Sequence, residues 1–171
     1  SPGQAAPPLP YAQGAIVINE ALSHQDADQP GDWIELRNTT ASPINIGSWF
    51  LSDTELDLRK YRIPTNTIIP ANGYVVFDEW SDFGTNVLAL GTNGFALGEY
   101  GDAIYLSAGS GGQLAQPAYR EAVDFGASDR DVTFGRYVKS DGAADFTAMS
   151  SSMTNGANSY PKMGPVVISE I

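Results

Sequence analysis

An all-β chain folded as an antiparallel β-sandwich is what this sequence predicts, and three observations predict it. Its apolar runs are short and rich in β-branched and aromatic residues. Turn-forming residues are abundant, with 18 Gly and 11 Pro among 171 residues. No window of 11 residues carries a 3.6-residue apolar stripe, whereas several segments alternate with a period of two. With 42% hydrophobic residues the chain can build one packed core, which a disordered acidic chain could not.

The elements follow in order. Residues 1–13, SPGQAAPPLPYAQ, hold no charge and are Pro-rich, as in an extended linker or a remnant of expression. In the run Ala15–Leu22, Ile16, Val17 and Ile18 are consecutive, so both faces of this strand are expected to be buried. "DWIELRN" alternates, with Ile34 and Leu36 on one face and Trp33, Glu35 and Arg37 on the other. Ile44, Ile46, Trp49 and Leu51 form a third run whose phase shifts at Gly47, where a bulge or bend is expected. Pro70-Ala71-Asn72-Gly73 is a turn signal between two short apolar strands, the second being Tyr74–Phe77. Residues 81–101 are looser and Gly-rich. "DAIYLS" alternates again, "AGSGGQ" reads as a turn, and Arg120–Phe125, Thr133–Val138 and Asp145–Ala148 complete the strands. A polar closing segment, MSSSMTNGANSYPKM, occupies residues 149–163.

Nine Lys and Arg stand against twenty Asp and Glu, giving a net charge of −11. Such a surface repels phosphate backbones and anionic membranes, so neither nucleic acid nor membrane insertion is expected. The absence of Cys excludes disulfides and thiolate metal sites. No stretch of 18 apolar residues reads as a membrane span. The chain begins with Ser1 and shows no signal-peptide pattern, so it reads as a segment of something longer.

Eight segments then occur in a telling order: "IVINEA", "GDWIELRN", "INIGSWFLSD", "IIPANGYVVF", "GDAIYLS", "VDFG", "TFGRY" and "TNGANS". Together they resemble the lamin tail domain family in its bacterial extracellular branch. The resemblance spans residues 14–158 and implies an immunoglobulin-like antiparallel β-sandwich. It also implies an accessory or interaction module with no fixed ligand, found in bacteria within large exported proteins. The expected location is therefore extracellular or at the cell surface. The filament-forming rod of animal lamins has no counterpart here.

Four features are candidates for chemistry. Glu20 and Glu35 lie in apolar strands, where a carboxylate is costly without partners. Facing one another, they could do acid–base work or hold a cation. Their structural alternative is a salt bridge to Arg37 or Arg136, or hydrogen bonds to loop amides. The loop "HQDADQPGDW" places Asp26, Asp28 and Gly31 at positions 1, 3 and 6 of an EF-hand pattern, but Pro30 and Arg37 occupy positions 5 and 12. It fails as an EF-hand. A looser Ca2+ cage of Asp26, Asp28, Asp32 and Glu35 is the metal site it would support, against the plainer reading of an exposed acidic loop. Asp53, Glu55, Asp57, Asp129 and Asp131 read as turn residues. His24, the only histidine, has no G-x-S-x-G companion and reads as an ordinary loop residue. Among the aromatics, Trp49 is expected in the core and Trp80, amid charges, at the surface, where it could stack on a sugar.

The expected domain is 14–160, with 161–171 as a linker and the first strand of a following repeat. That last inference rests on "GPVVISEI" at 164–171, which echoes "GAIVINEA" at 14–21. The leading expectation is a non-catalytic, non-enzymatic interaction or spacer module of an exported protein, requiring no cofactor. Its partners would be neighbouring domains, with a strand-mediated homodimer as the mode of self-association. The alternative is a Ca2+-stabilised carbohydrate- or surface-binding module beside a hydrolase. An enzyme built on Glu20 and Glu35 is the third.

Overall fold

A computed structural model describes residues 11–23, 25, 31–84, 93–116, 119–127 and 129–164. Thirteen short strands appear among them. They are β1 (Ile16–Leu22), β2 (Trp33–Asn38), β3 (Ile44–Asn45), β4 (Phe50–Ser52), β5 (Tyr61–Arg62), β6 (Ile68–Ile69) and β7 (Tyr74–Asp78). After these come β8 (Asp102–Ser107), β9 (Gly109–Ser110), β10 (Gln113–Leu114), β11 (Arg120–Phe125), β12 (Phe134–Val138) and β13 (Ala144–Ala148). One five-residue π-helical turn, Glu79–Phe83, follows β7. Among the described residues no helix is long and apolar enough to cross a membrane.

All pairings are antiparallel. A five-stranded sheet runs β13-β12-β1-β2-β7 and a four-stranded sheet runs β11-β8-β4-β5, with small ribbons β9-β10 and β3-β6. The two larger sheets enclose the core, so the expected sandwich is what the chain forms. Ile16, Ile18, Ile34 and Leu36 supply one wall and Leu51, Ile104 and Leu106 the other, all fully buried. The alternation read in "DWIELRN" therefore places the expected residues inward.

Trp49 sits in the core against Tyr119, ring centroids 5.2 Å apart. The Tyr119 hydroxyl accepts from the N–H groups of Gly14 (3.1 Å) and Ile16 (3.2 Å) and donates to the Ile16 carbonyl. One ring thus ties the start of β11 to the start of β1, across the sandwich.

Two local expectations are met. Of the bulge or bend expected at Gly47, the structure contains the bend. Trp49 N–H donates to Ile46 O in a tight turn that carries the chain from the β3–β6 ribbon into the second sheet. A Cβ at Gly47 would sit 2.0 Å from the Thr65 carbonyl oxygen, so the residue is small because another backbone passes against it. The Pro70–Gly73 turn is present as well, Gly73 N–H donating to Pro70 O, between β6 and β7. Its flanking strands pair elsewhere, β6 with β3 and β7 with β2. The turn signal was local, and pairing is not.

Candidate functional site

β1 sets the site by a break in its own rhythm. Its pairing with β2 slips between Ile18 and Glu20, leaving Asn19 as the extra residue of a β-bulge. Ile16 and Ile18 point into the core. Strict alternation would send Glu20 after them, but the bulge turns Ala21 inward instead and puts Glu20 on the outer face. There Glu20 is the direct cross-strand partner of Glu35. Side chains so placed have Cβ atoms about 4.5–5.5 Å apart, where like charges repel.

Both glutamates are 0% exposed, because a second layer covers them. After β13 the chain doubles back over the outer face as an irregular strap, residues 149–162. Glu20 Oε1 accepts from Thr133 Oγ1 at 2.5 Å and from the Met153 N–H at 3.2 Å. Glu35 Oε2 accepts from the Asn155 N–H, and its Oε1 from Asn19 Nδ2 at 2.7 Å. The bulge residue completes the joint. Asn19 Nδ2 also donates to Asn158 Oδ1 (2.7 Å), while Asn158 Nδ2 donates to the carbonyls of Asn19 (2.8 Å) and Arg136 (2.9 Å). Gly135, opposite Glu20 on β12, lets the strap come close: a Cβ there would lie 2.9 Å from Asn158 Nδ2 and from Met149 Cε.

Burial raises the pKa of both carboxyls. For Glu20, loss of solvent outweighs the bonds from Thr133 and Met153, and the neighbouring Glu35 charge pushes the same way. For Glu35, burial outweighs the bonds from Asn155 and Asn19 and the attraction of Arg37. Glu20 Oε2 is buried without a hydrogen-bond partner, so a proton there would relieve both the orphaned oxygen and the repulsion. Of the alternatives for this pair, hydrogen bonds to loop amides are the one the structure contains. Arg136 instead pairs with Glu121 across the two sheets, and its Nε donates to Ile18 O at 3.2 Å. As an arrangement, the pair can fasten a crossing chain, and its burial leaves no approach for a substrate.

The expected Ca2+ residues are placed as follows. Asp26, Asp28 and the lone His24 lie outside the described residues. Asp32 ends the loop before β2, and its Oδ2 accepts from the Leu97 N–H at 2.7 Å. Alternation puts Asp32 on the core side of β2 and Glu35 on the outer side, so these two are not brought together. Among the described residues no group of three or more His, Cys, Asp or Glu could hold a metal ion. Of the turn aspartates, Asp57 accepts from Arg59 N–H at 3.1 Å and Asp53 pairs with Lys60 at 2.6 Å.

Trp80 is 55% exposed, as expected. It projects from the π-helical turn, and a Cβ on Gly31 would meet its ring at 3.0 Å. That turn is held by Asp78 Oδ1, which accepts from Ser81 N–H (2.8 Å), and by Asp82, which accepts from Asp78 N–H (3.0 Å) and Tyr61 Oη (3.2 Å). Burial raises the pKa of Asp82 and of Tyr61.

Sequence reasoning named the two glutamates but missed Asn19, Thr133, Gly135 and Asn158. One signal was available: Asn19 is polar within the run "IVINEAL", and such a residue in a buried strand must find partners.

A scan against family models matches the lamin tail domain over residues 10–121, and the chain belongs to this family. Neither the curated proteins nor the solved structures yield a match. The matched range contains Glu20 and Glu35 but stops before Thr133 and the strap.

Proposed function

We propose that this lamin tail domain is a non-catalytic interaction and spacer module of a large exported polypeptide. Neighbouring domains of the same chain are its immediate partners. The observation that carries this reading is the exit of the chain. The strap is fastened to the sheet by the glutamate pair, yet it presents Tyr160 at 79% exposure and leads directly into Met163 at 80%. Large apolar side chains on a fixed segment offer a docking surface for whatever follows, without a flexible hinge between. The acids that could have done chemistry serve to hold that segment. A net charge of −11 favours solubility and a partner other than nucleic acid.

The test compares two fragments of the parent polypeptide, this domain alone and this domain with its C-terminal neighbour, by small-angle scattering and melting. A fixed interdomain distance is expected, lost on Tyr160→Ser plus Met163→Ser while the single domain melts unchanged. A tandem that scatters as freely hinged beads, with or without those substitutions, sinks the reading.

A second reading is a carbohydrate- or surface-binding module stabilised by Ca2+ that targets an attached hydrolase. The exposed Trp80 ring favours it, since an aromatic face on a fixed turn suits a sugar ring. A glycan array with no Trp80-dependent binder removes it. So does a melting temperature that Ca2+ raises no more than NaCl of matched ionic strength.

A further inference from the structure

Beside the glutamate joint, on the outer face of the five-stranded sheet, a pocket of about 300 Å3 opens between the strap and the strands. Asn19, Arg37, Tyr137 and Val138 line it from the sheet, and Ala157–Tyr160 from the strap. Its two asparagines are already committed. Asn19 Nδ2 donates to Glu35 and Asn158, and Asn158 Nδ2 donates to the carbonyls of Asn19 and Arg136. Arg37 differs. Its Nε is buried without a hydrogen-bond partner, which is costly for a charged donor. None of the ion pairs formed among the described residues includes it. Glu35, two residues back on the same face, accepts instead from Asn19 and Asn155. A guanidinium cannot shed its proton to escape this cost. It is also held in place, since Tyr74, its cross-strand partner on β7, has its ring centroid 5.5 Å from the guanidinium carbon. A chain with twenty acidic residues thus leaves a fixed, half-buried cation without one of them.

We infer that this pocket receives an acidic side chain, Asp or Glu, from an extended segment of a partner protein, with Arg37 as the anchor for its carboxylate. A guanidinium and a carboxylate match in shape and charge and bond in two places at once. The pocket lies at the small end of the range for ligand sites, which suits a single inserted side chain. Its surroundings suit a protein partner. Val138 and Tyr160 are exposed beside it and Tyr137 is half-buried. Arg and Tyr are residues that carry much of the energy at protein interfaces, and an apolar rim keeps water from the ion pair they enclose. The inference rests on the reading of the strap as a docking segment and names the chemistry that its partner presents.

NMR of the Arg37 Nε–H on the full chain tests it, with a Leu-Glu-Leu tripeptide blocked at both ends and its Leu-Gln-Leu counterpart as probes. The glutamyl peptide should shift that resonance saturably and bind about tenfold tighter than the glutaminyl one. This comparison uses the wild type alone, so it does not depend on how a variant folds. Arg37→Met should abolish the preference, and Arg37→Lys, which keeps the charge but loses the planar fork, should keep only part of it. Equal binding of the two peptides, no saturable shift, or an unchanged preference in Arg37→Met overturns the inference. Glucuronate that binds as tightly as the glutamyl peptide also overturns it, by assigning the pocket to an acidic sugar. The two readings fail separately. A freely hinged tandem whose Arg37 still prefers the glutamyl peptide sinks the spacer reading alone, and a rigid tandem without that preference sinks the acidic anchor alone.

Discussion

The two faces of β1 and β2 are equally dry but are kept so by different physics. Inward, Ile16, Ile18, Ile34 and Leu36 are buried by packing, which needs shape and no particular partner atom. Outward, Glu20 and Glu35 are buried by hydrogen bonds to a strap more than a hundred residues away in sequence, with Met153 separated from Glu20 by 133. The first face is tolerant in direction and insensitive to pH. The second depends on named atoms and on protonation. A domain with both has a core that defines the fold and a joint that defines where the chain leaves it.

The comparison breaks most completely at the core. Ile34→Ala should cost about 2–5 kcal/mol by lost transfer and cavity formation. Urea unfolding should show a lower midpoint at unchanged slope. Exchange should rise throughout both sheets, because that face belongs to the whole fold.

Glu35→Ala should cost less, about 1–3 kcal/mol, because it leaves the Asn155 N–H and the Asn19 amide without their acceptor. Its damage should be local, with faster exchange at Met153–Asn158 and little change at Ile34 or Leu36. Uniform loosening of the sheet by Glu35→Ala, like that from Ile34→Ala, would erase the distinction between the faces.

The smallest effect is the most diagnostic. Burial holds both glutamates' folded pKa values above the ordinary carboxyl value of 4.5, so in the window above 4.5 the folded state binds more protons than the unfolded one. Their contribution is fully present below the unfolded pKa and is lost as pH rises through the folded value. Glu121 and Asp82, also raised by burial, act in the same direction. Melting temperature should therefore fall as pH is raised from about 4.5 to 7. Glu20→Gln, which keeps an acceptor for Thr133 and Met153 but carries no charge, should flatten that slope. A melting temperature that climbs over the same range contradicts the account of the outer face.

Much of this was legible in the sequence, and what escaped has a common cause. Consecutive Ile16, Val17 and Ile18 announced a strand buried on both faces, and "DWIELRN" announced its neighbour. Glu20 and Glu35 were visible as misplaced charges. What covers the outer face was not visible, because periodicity reports that a residue is buried and not by what. The bulge at Asn19 was hidden for the same reason, since a bulge is a property of a pair of strands. Gly47 and Asn72-Gly73 mark interruptions in the sequence, but local chemistry cannot tell which strands the interrupted chain joins.

The strap also imposes an order in time. A nascent chain emerges from its amino end at roughly 5–20 residues per second, so Glu20 and Glu35 precede Met153 and Asn155 by on the order of ten seconds. Throughout that interval β1 and β2 can pair only with their outer carboxylates uncapped and wet. The domain therefore cannot seal on a partial transcript of itself: a chain interrupted anywhere before the strap keeps two water-seeking charges on the sheet. Completion of the domain is in this sense registered by its fold, and a chain cut short within it carries the mark of its own incompleteness.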